Sequence, residues 1–357
     1  MSTTTRSNLM RAIKLTQSQK KIELVRIEIP RIVKPNDVLL KIPCAGICGS
    51  DIHFIKNTFI IKDNVVLGHE FSGTVVEIGS DVTNVKVGDR VSAAASCHCH
   101  HCRFCHLGKA NLCVKGGVSY YNGFHRDGAW ADYCLVQSSQ LFKLSDEIDF
   151  ETSILTEPLS CVVHSFSNYS PLADSASILI AGSGIIGLLK ASMLHYKGFR
   201  DITICEPIEC RREIAKNLQL SGLQVMKPSE VIEKFKGLET SLVGYDLIFD
   251  CTGSPEAFED YFPLLRKSAT YLMFGLFPPG TKSSISPCDF FNKEVKILSS
   301  SGECNKHMDA LSLVKNMAID GKLDLKRLGV KLYPLEDYKT ALKDLEDGVI
   351  SKAMLTL

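Results

Sequence analysis

Ser177-Ile178-Leu179-Ile180-Ala181-Gly182-Ser183-Gly184-Ile185-Ile186-Gly187 decides how this chain is read. Ile178 to Ala181 are apolar without alternation, as in a strand buried on both faces of a parallel sheet. Three glycines follow in G-x-G-x-x-G spacing, and an apolar-rich helix runs from Ile185 to Tyr196. The glycine pattern is weak by itself, but between a buried strand and a helix it is specific. Gly182 permits the tight turn, Gly184 lets a pyrophosphate approach the backbone, and Gly187 lets helix and strand pack closely. With Ile185 and Ile186 they aim a helix N-terminus at an anion, so a dinucleotide is the expected ligand.

Working outward, the pattern repeats. Asp201 to Cys205 reads as the next strand and Cys210 to Leu220 as the next helix, followed by a strand at Tyr245 to Asp250. Ala269 to Phe274 and Glu294 to Ser299 look like the last strands. Strand alternating with helix at this spacing predicts a doubly wound parallel sheet of Rossmann type, an α/β fold. Glu206 ends the second strand, near the separation of about 20 residues expected for the acid on a ribose hydroxyl. A carboxylate there repels an additional phosphate, so NAD is favoured over NADP. Arg211 and Arg212 weigh the other way, and Arg211 is included among the candidate cofactor residues.

Upstream, the chain has another character. Ala12 to Leu15, Ile22 to Ile27, Val38 to Ile42, Gly73 to Gly79 and Val87 to Val91 read as short strands separated by Pro and Gly turns. Phe150 to Ser167 reads as one helix containing Glu157-Pro158-Leu159. A small β-rich unit is therefore expected before the parallel sheet. A helix at Met308 to Ile319 and the closing stretch Lys352 to Leu357 lie beyond the α/β pattern.

The chain has 357 residues, enough for about two domains. Its 41 Lys and Arg nearly cancel 40 Asp and Glu, which gives nucleic-acid binding no electrostatic support. No apolar run reaches the roughly 18 residues needed to span a bilayer. The first ten residues lack an apolar signal-peptide region. The cytoplasm is the expected location, with no membrane partner. Fourteen cysteines in a reducing compartment point to metal or buried thiols. Cys99, Cys102, Cys105 and Cys113 stand as C-x2-C-x2-C-x7-C. Four thiolates close a tetrahedral shell with no open position, the mark of a structural zinc site.

Two further stretches bear on chemistry. Gly46-Ile47-Cys48-Gly49-Ser50-Asp51-Ile52-His53 offers a thiolate, a hydroxyl and an imidazole, and Gly68-His69-Glu70 adds an imidazole beside a carboxylate. A catalytic zinc keeps three protein ligands and one open position. Cys48 and His69 are its firm candidates, with Ser50 and His53 placed to move a proton away.

Taken in order, GICGSDIH, GHE, the four-cysteine lobe, EPL and the G-x-G-x-x-G loop closely resemble the zinc-dependent medium-chain dehydrogenases. Glu157-Pro158-Leu159-Ser160 with His164 looks most like the sorbitol and xylitol (polyol) branch. The resemblance implies a GroES-like catalytic domain over 1–164 and 302–357, with the structural zinc lobe at about 95–115, and a Rossmann domain over 165–301. It implies a third metal position filled by Glu70, by Glu157, or by one of them through water, or Glu70 as an outer partner that orients its neighbours. It implies a proton relay from Ser50 through the cofactor ribose to His53, and a homodimer or homotetramer. Zinc as a Lewis acid lowers the cost of ionising an alcohol, and the hydride chemistry belongs to NAD.

The chain also departs from the polyol pattern. Ser299-Ser300-Ser301-Gly302-Glu303 stands where that branch places an arginine and an aromatic before the Cys-Asn that Cys304-Asn305 resembles. Phe54 replaces a tyrosine found in some members. The expected substrate is a small-molecule secondary alcohol, a polyol foremost, with threonine- or butanediol-type alcohols and a non-enzymatic nicotinamide-binding role as alternatives.

Overall fold

Every residue of Ile178–Ala181 is buried in a strand, at the centre of a parallel sheet. The structure is a computed structural model and describes residues 8–116, 120–169 and 171–357. The sheet has six strands in the order Leu223–Met226, Ile202–Cys205, Ile178–Ala181, Tyr245–Asp250, Leu265–Met273, Lys296–Ser299. All neighbours are parallel, with Ile178 in register with Ile202 on one side and Leu247 on the other. Chain order therefore reverses at Ile178–Ala181. Ligands of open α/β sheets bind at such a switch point, outside the carboxyl ends of the strands. The glycine turn leaves the sheet at that place.

The second unit is a mixed sheet. Its path runs Val330–Pro334, Lys352–Thr356, Asp37–Ile47, Glu70–Ile78, Arg90–Ala93, Leu141–Lys143, and Tyr133–Gln137 also pairs with Asp37–Ile47. The closing strand lies antiparallel to Asp37–Ile47, pairing Ala353 with Ile47. This register brings the end of the chain beside the start of the Cys48 stretch. A smaller sheet of Lys21–Glu28, Leu9–Thr16 and Val65–Val66 flanks it.

Several boundaries differ from expectation for identifiable reasons. Val87 and Gly88 form a turn, Gly88 at φ +92°, and the strand starts only at Arg90. The expected helix over 150–167 is two, Phe150–Ile154 and Thr156–Ser167. Pro158 has no N–H to donate and so fits the first turn of a new helix, where that donor would be unpaired anyway. Leu223–Met226 is a short, half-exposed edge strand, whose pattern is too faint to read beforehand. The helix Gly49–Ile55 has seven residues and opens on glycine, which hides it from periodicity. Helix His307–Ile319 buries Ala310, Val314 and Met317 in one core with Leu159, Val162, Ile178 and Ile180. Packing is thus continuous between the two sheets.

Candidate active site

Cys48 directly follows the strand Asp37–Ile47 and caps the helix Gly49–Ile55. Its N–H donates to Asp51 Oδ2 at 2.8 Å, which fixes the turn that presents the sulfur. Gly68 precedes His69 at φ +97°, and a Cβ there would stand 2.3 Å from Trp130 Cδ1. The buried Trp130 donates its indole N–H to Gly46 O at 2.9 Å and so joins the Gly46 and Gly68 stretches. One ligand atom each from Cys48, His69 and Glu70 lie within 4.8 Å of one another. His69 Nδ1 faces Asp51 Oδ1 at 3.5 Å. Burial pulls the imidazole down, but the Asp51 carboxylate and the Cys48 sulfur outweigh it and hold His69 well above the usual histidine range.

Glu70 Oε2 accepts from Lys352 Nζ, and both residues are fully buried. Its other oxygen, Oε1, is buried with no hydrogen-bond partner. An orphaned buried carboxylate oxygen beside a thiol and an imidazole is what a cation would satisfy. The residues present therefore fit a zinc ion held by Cys48, His69 and Glu70. Glu157 is not within that group of ligand atoms. It is buried nearby, and burial, opposed by His69 and reinforced by Glu70 and Glu303, pushes its carboxyl up to about 8. Cys161 Sγ lies 3.9 Å from Glu157 Oε1.

Ser50 Oγ is buried and has no hydrogen-bond partner. His53, half-buried on the same helix, packs edge-on against Phe59 at 5.7 Å. Burial and the neighbouring Lys56 lower its pKa below the ordinary histidine value. Gly49, Ile52 and His53 line a cleft of about 370 Å³ together with Gly184, Ile185, Ile186, Gly187 and Arg211. The metal-site helix and the glycine loop thus share one crevice.

The three glycines differ in what the protein itself demands. Gly182 sits at φ +97°. A Cβ on Gly187 would lie 2.0 Å from Gly182 O. A Cβ on Gly184 would meet nothing within 4 Å, so neither backbone nor packing requires that glycine. Its openness toward the cleft suits a ligand that must approach the chain closely. At the end of the next strand Glu206 is buried, taking the N–H of Ser183 on Oε2 at 2.9 Å and that of Ile208 on Oε1 at 2.9 Å. Arg212 turns inward and donates to Glu206 O at 3.0 Å and Pro207 O at 2.6 Å. Arg211 instead reaches across the cleft, with Nη2 3.4 Å from Leu345 O.

The cysteine loop forms a second group, Cys99, Cys102, Cys105 and Cys113. Sulfur separations are 3.4 Å for Cys99–Cys113, 3.9 Å for Cys99–Cys105 and 3.6 Å for Cys102–Cys105. Zn–S bonds of about 2.3 Å in a tetrahedron give an edge of about 3.8 Å, so the four sulfurs fit zinc with no vacant position. Cys97, the fifth thiol, is pushed up to about 12 by burial and stands apart. His164 Nδ1 donates to Gly302 O at 2.7 Å and is structural.

Two participants were not legible in sequence. Lys352 lies 282 positions from the Glu70 it pairs with, and no spacing rule spans that distance. Asp51 sits inside the Cys48 stretch, where a carboxylate three residues after a helix cap was the available signal.

Residues 34–146 match the family model of the alcohol dehydrogenase GroES-like domain, and residues 186–316 that of the zinc-binding dehydrogenase domain. Among similar proteins, an L-threonine 3-dehydrogenase of Caldanaerobacter subterraneus is 32% identical, over 97% of this chain and 99% of its own. D-arabinitol dehydrogenase 1 of Uromyces fabae is 27% identical, over 91% of each. A zinc-binding dehydrogenase of Sinorhizobium meliloti solved with NADP superposes with a TM-score of 0.86 at 27% identity, covering 98% of this chain and 100% of that one. Among the described residues, no helix is long and apolar enough to cross a membrane.

Proposed function

The chain belongs to the zinc-dependent medium-chain dehydrogenases, and from that premise we propose that it transfers a hydride between NAD and a secondary alcohol, a polyol foremost. One observation supports this above the rest. The helix that begins at the Cys48–His69–Glu70 group lines the same cleft as the glycine loop. When bound, zinc supplies Lewis acidity to the alcohol oxygen and NAD accepts the hydride. The protein's own residues handle the proton. Ser50 Oγ, buried and unpartnered, is free to hydrogen-bond the alcohol hydroxyl. His53, kept neutral near pH 7 by burial and Lys56, can accept a proton at the cleft and release it to water.

NAD is favoured over NADP because the buried Glu206 closes the end of its strand and Arg212 is committed to carbonyls. Asp51, Glu70, Glu157 and Glu303 are buried around the metal site, Glu157 with its carboxyl pushed up to about 8 and so largely uncharged at neutral pH, and the buried Lys352 is already paired with Glu70. Lys352 is thus not free to hold a phosphate, which makes a neutral polyol the preferred substrate over a phosphorylated one. The threonine dehydrogenases among the relatives make an amino alcohol the second reading. The division into 1–164 with 302–357 and 165–301, a homodimer or homotetramer, and a cytoplasmic location belong to the same proposal.

The test is NADH formation by the zinc-loaded protein with five- and six-carbon polyols, butanediol, L-threonine and a polyol phosphate. Turnover of a polyol above all others supports the proposal. Turnover of threonine alone selects the second reading, and no NADH with any alcohol overturns both.

A further inference from the structure

A chain of buried polar side chains lies behind Glu157. Glu303 is only 2% exposed and pairs through Oε2 with His307 Nδ1 at 3.1 Å. On the other side of the ring, His307 Nε2 lies 2.8 Å from Ser92 Oγ. With the ring proton on Nδ1, His307 donates to Glu303 and Ser92 donates to Nε2, which satisfies every atom of the pair. Phe142 stacks on the imidazole at 5.0 Å and holds its plane. Ser96 Oγ stands 3.4 Å from Glu303 Oε1, and Ser160 Oγ stands 3.4 Å from Glu303 Oε2. That same Ser160 hydroxyl donates to Glu157 O at 2.6 Å.

The carboxylate thus meets the helix that bears Glu157, the start of helix His307–Ile319 and the segment leading into the zinc lobe, and through His307 it reaches the strand Arg90–Ala93. Ser92 pairs directly across the sheet with Ser72, two residues beyond Glu70. The backbone that delivers Glu303 is strained. Gly302, Cys304 and Asn305 have φ of +67°, +47° and +59°. Left-handed non-glycine residues cost of order 1 kcal/mol or more each and persist only where surrounding contacts hold them. Contacts with the cysteine lobe hold this segment, Cys304 Sγ with Gly108 O at 3.1 Å and Asn111 Nδ2 with Ser301 O at 2.8 Å.

We propose that Glu303, anchored by His307 and Ser92, is a positioning residue for Glu157. Through Ser160 it fixes the first turns of helix Thr156–Ser167 and so sets where the Glu157 side chain stands beside the metal-ligand group. The inference rests on the reading of Glu157 as part of the reaction site. Misplacing such a group by about 1 Å costs up to about a hundredfold in rate.

The test compares Glu303→Ala, Glu303→Gln and Ser92→Ala with the wild type in two readouts. One is kcat and KM with the preferred alcohol. The other is the visible spectrum of cobalt(II) placed in the Cys48–His69–Glu70 site, which senses coordination geometry without turnover. Glu303→Ala is expected to lower kcat about tenfold or more, with KM for NAD within about twofold, and to alter the cobalt bands. Glu303→Gln, which keeps the shape, recovers part of kcat. A folded Glu303→Ala with wild-type kcat and cobalt spectrum overturns the proposal, as does lower thermal stability with both readouts unmoved. If Glu303→Ala does not fold, the two milder variants decide by the same readouts. A wild type inactive on every alcohol would refute the proposed reaction, while the cobalt comparison would still judge the positioning role.

Discussion

Gly184 and Gly187 stand three residues apart in one loop, yet the structure assigns them different duties, and alanine separates these duties. At Gly187 an added Cβ would lie 2.0 Å from the carbonyl oxygen of Gly182, a backbone atom that cannot swing aside. Overpacking of this kind costs roughly 1–3 kcal/mol. At 2–4 °C per kcal/mol for a domain of this class, the unfolding midpoint should fall by roughly 2–12 °C. At Gly184 the backbone is at φ −65° and ψ 177°, which alanine adopts freely, and nothing lies within 4 Å of the new Cβ. Stability should change by less than about 1 kcal/mol. The methyl group would instead occupy the approach to the pyrophosphate. We expect Gly184→Ala to bind NADH at least about tenfold more weakly, a loss of about 1.4 kcal/mol. Thermal unfolding of the apo protein and fluorescence titration with NADH measure the two effects separately. Wild-type NADH affinity in Gly184→Ala would refute the assignment of that glycine to the ligand.

Three other outcomes follow from the structure. Lys190 is fully buried, with Nζ 3.0 Å from Ser165 Oγ and 4.3 Å from the Phe249 ring centroid, and burial lowers its pKa well below the ordinary lysine value. The unfolded chain therefore binds more protons than the folded one between that lowered value and about 10.4, so this residue makes stability rise with pH across the window. Lys190→Met should raise stability at neutral pH by roughly 1 kcal/mol or more and flatten the alkaline rise, as followed by urea unfolding at several pH values. Cys113→Ser should reduce bound zinc from about two to about one per chain by elemental analysis and destabilise the lobe. Lys56→Met removes the cation that helps depress His53, so the acid limb of the kcat/KM profile for alcohol oxidation should move to higher pH, by less than about one unit.

Much of the fold was legible because its decisive signals are local. The buried run Ile178–Ala181 and the glycines after it lie within ten positions, and strand and helix begin within one residue of expectation. The C-x2-C-x2-C-x7-C spacing groups the very sulfurs that the structure gathers. Where the signal was misleading, a single residue explains it. Gly88 turns the start of an expected strand into a corner, and Pro158 restarts a helix that periodicity had joined. What stayed hidden was long-range. Glu70 with Lys352 and Ser92 with His307 are separated by 282 and 215 positions, and only the assembled sheet and shared core bring them together. Polar partners of this kind follow no period, because their geometry is set by which strands become neighbours.

Trp130 is the one tryptophan of the chain, sealed from solvent, with its ring against Gly68 and its N–H on Gly46. The protein consequently contains an intrinsic optical gauge beside its proposed metal ligands. Emission of a lone indole is free of competing signals from other tryptophans, and it overlaps the absorbance of reduced nicotinamide. Metal loading and dinucleotide capture can each be watched in real time without a dye or label.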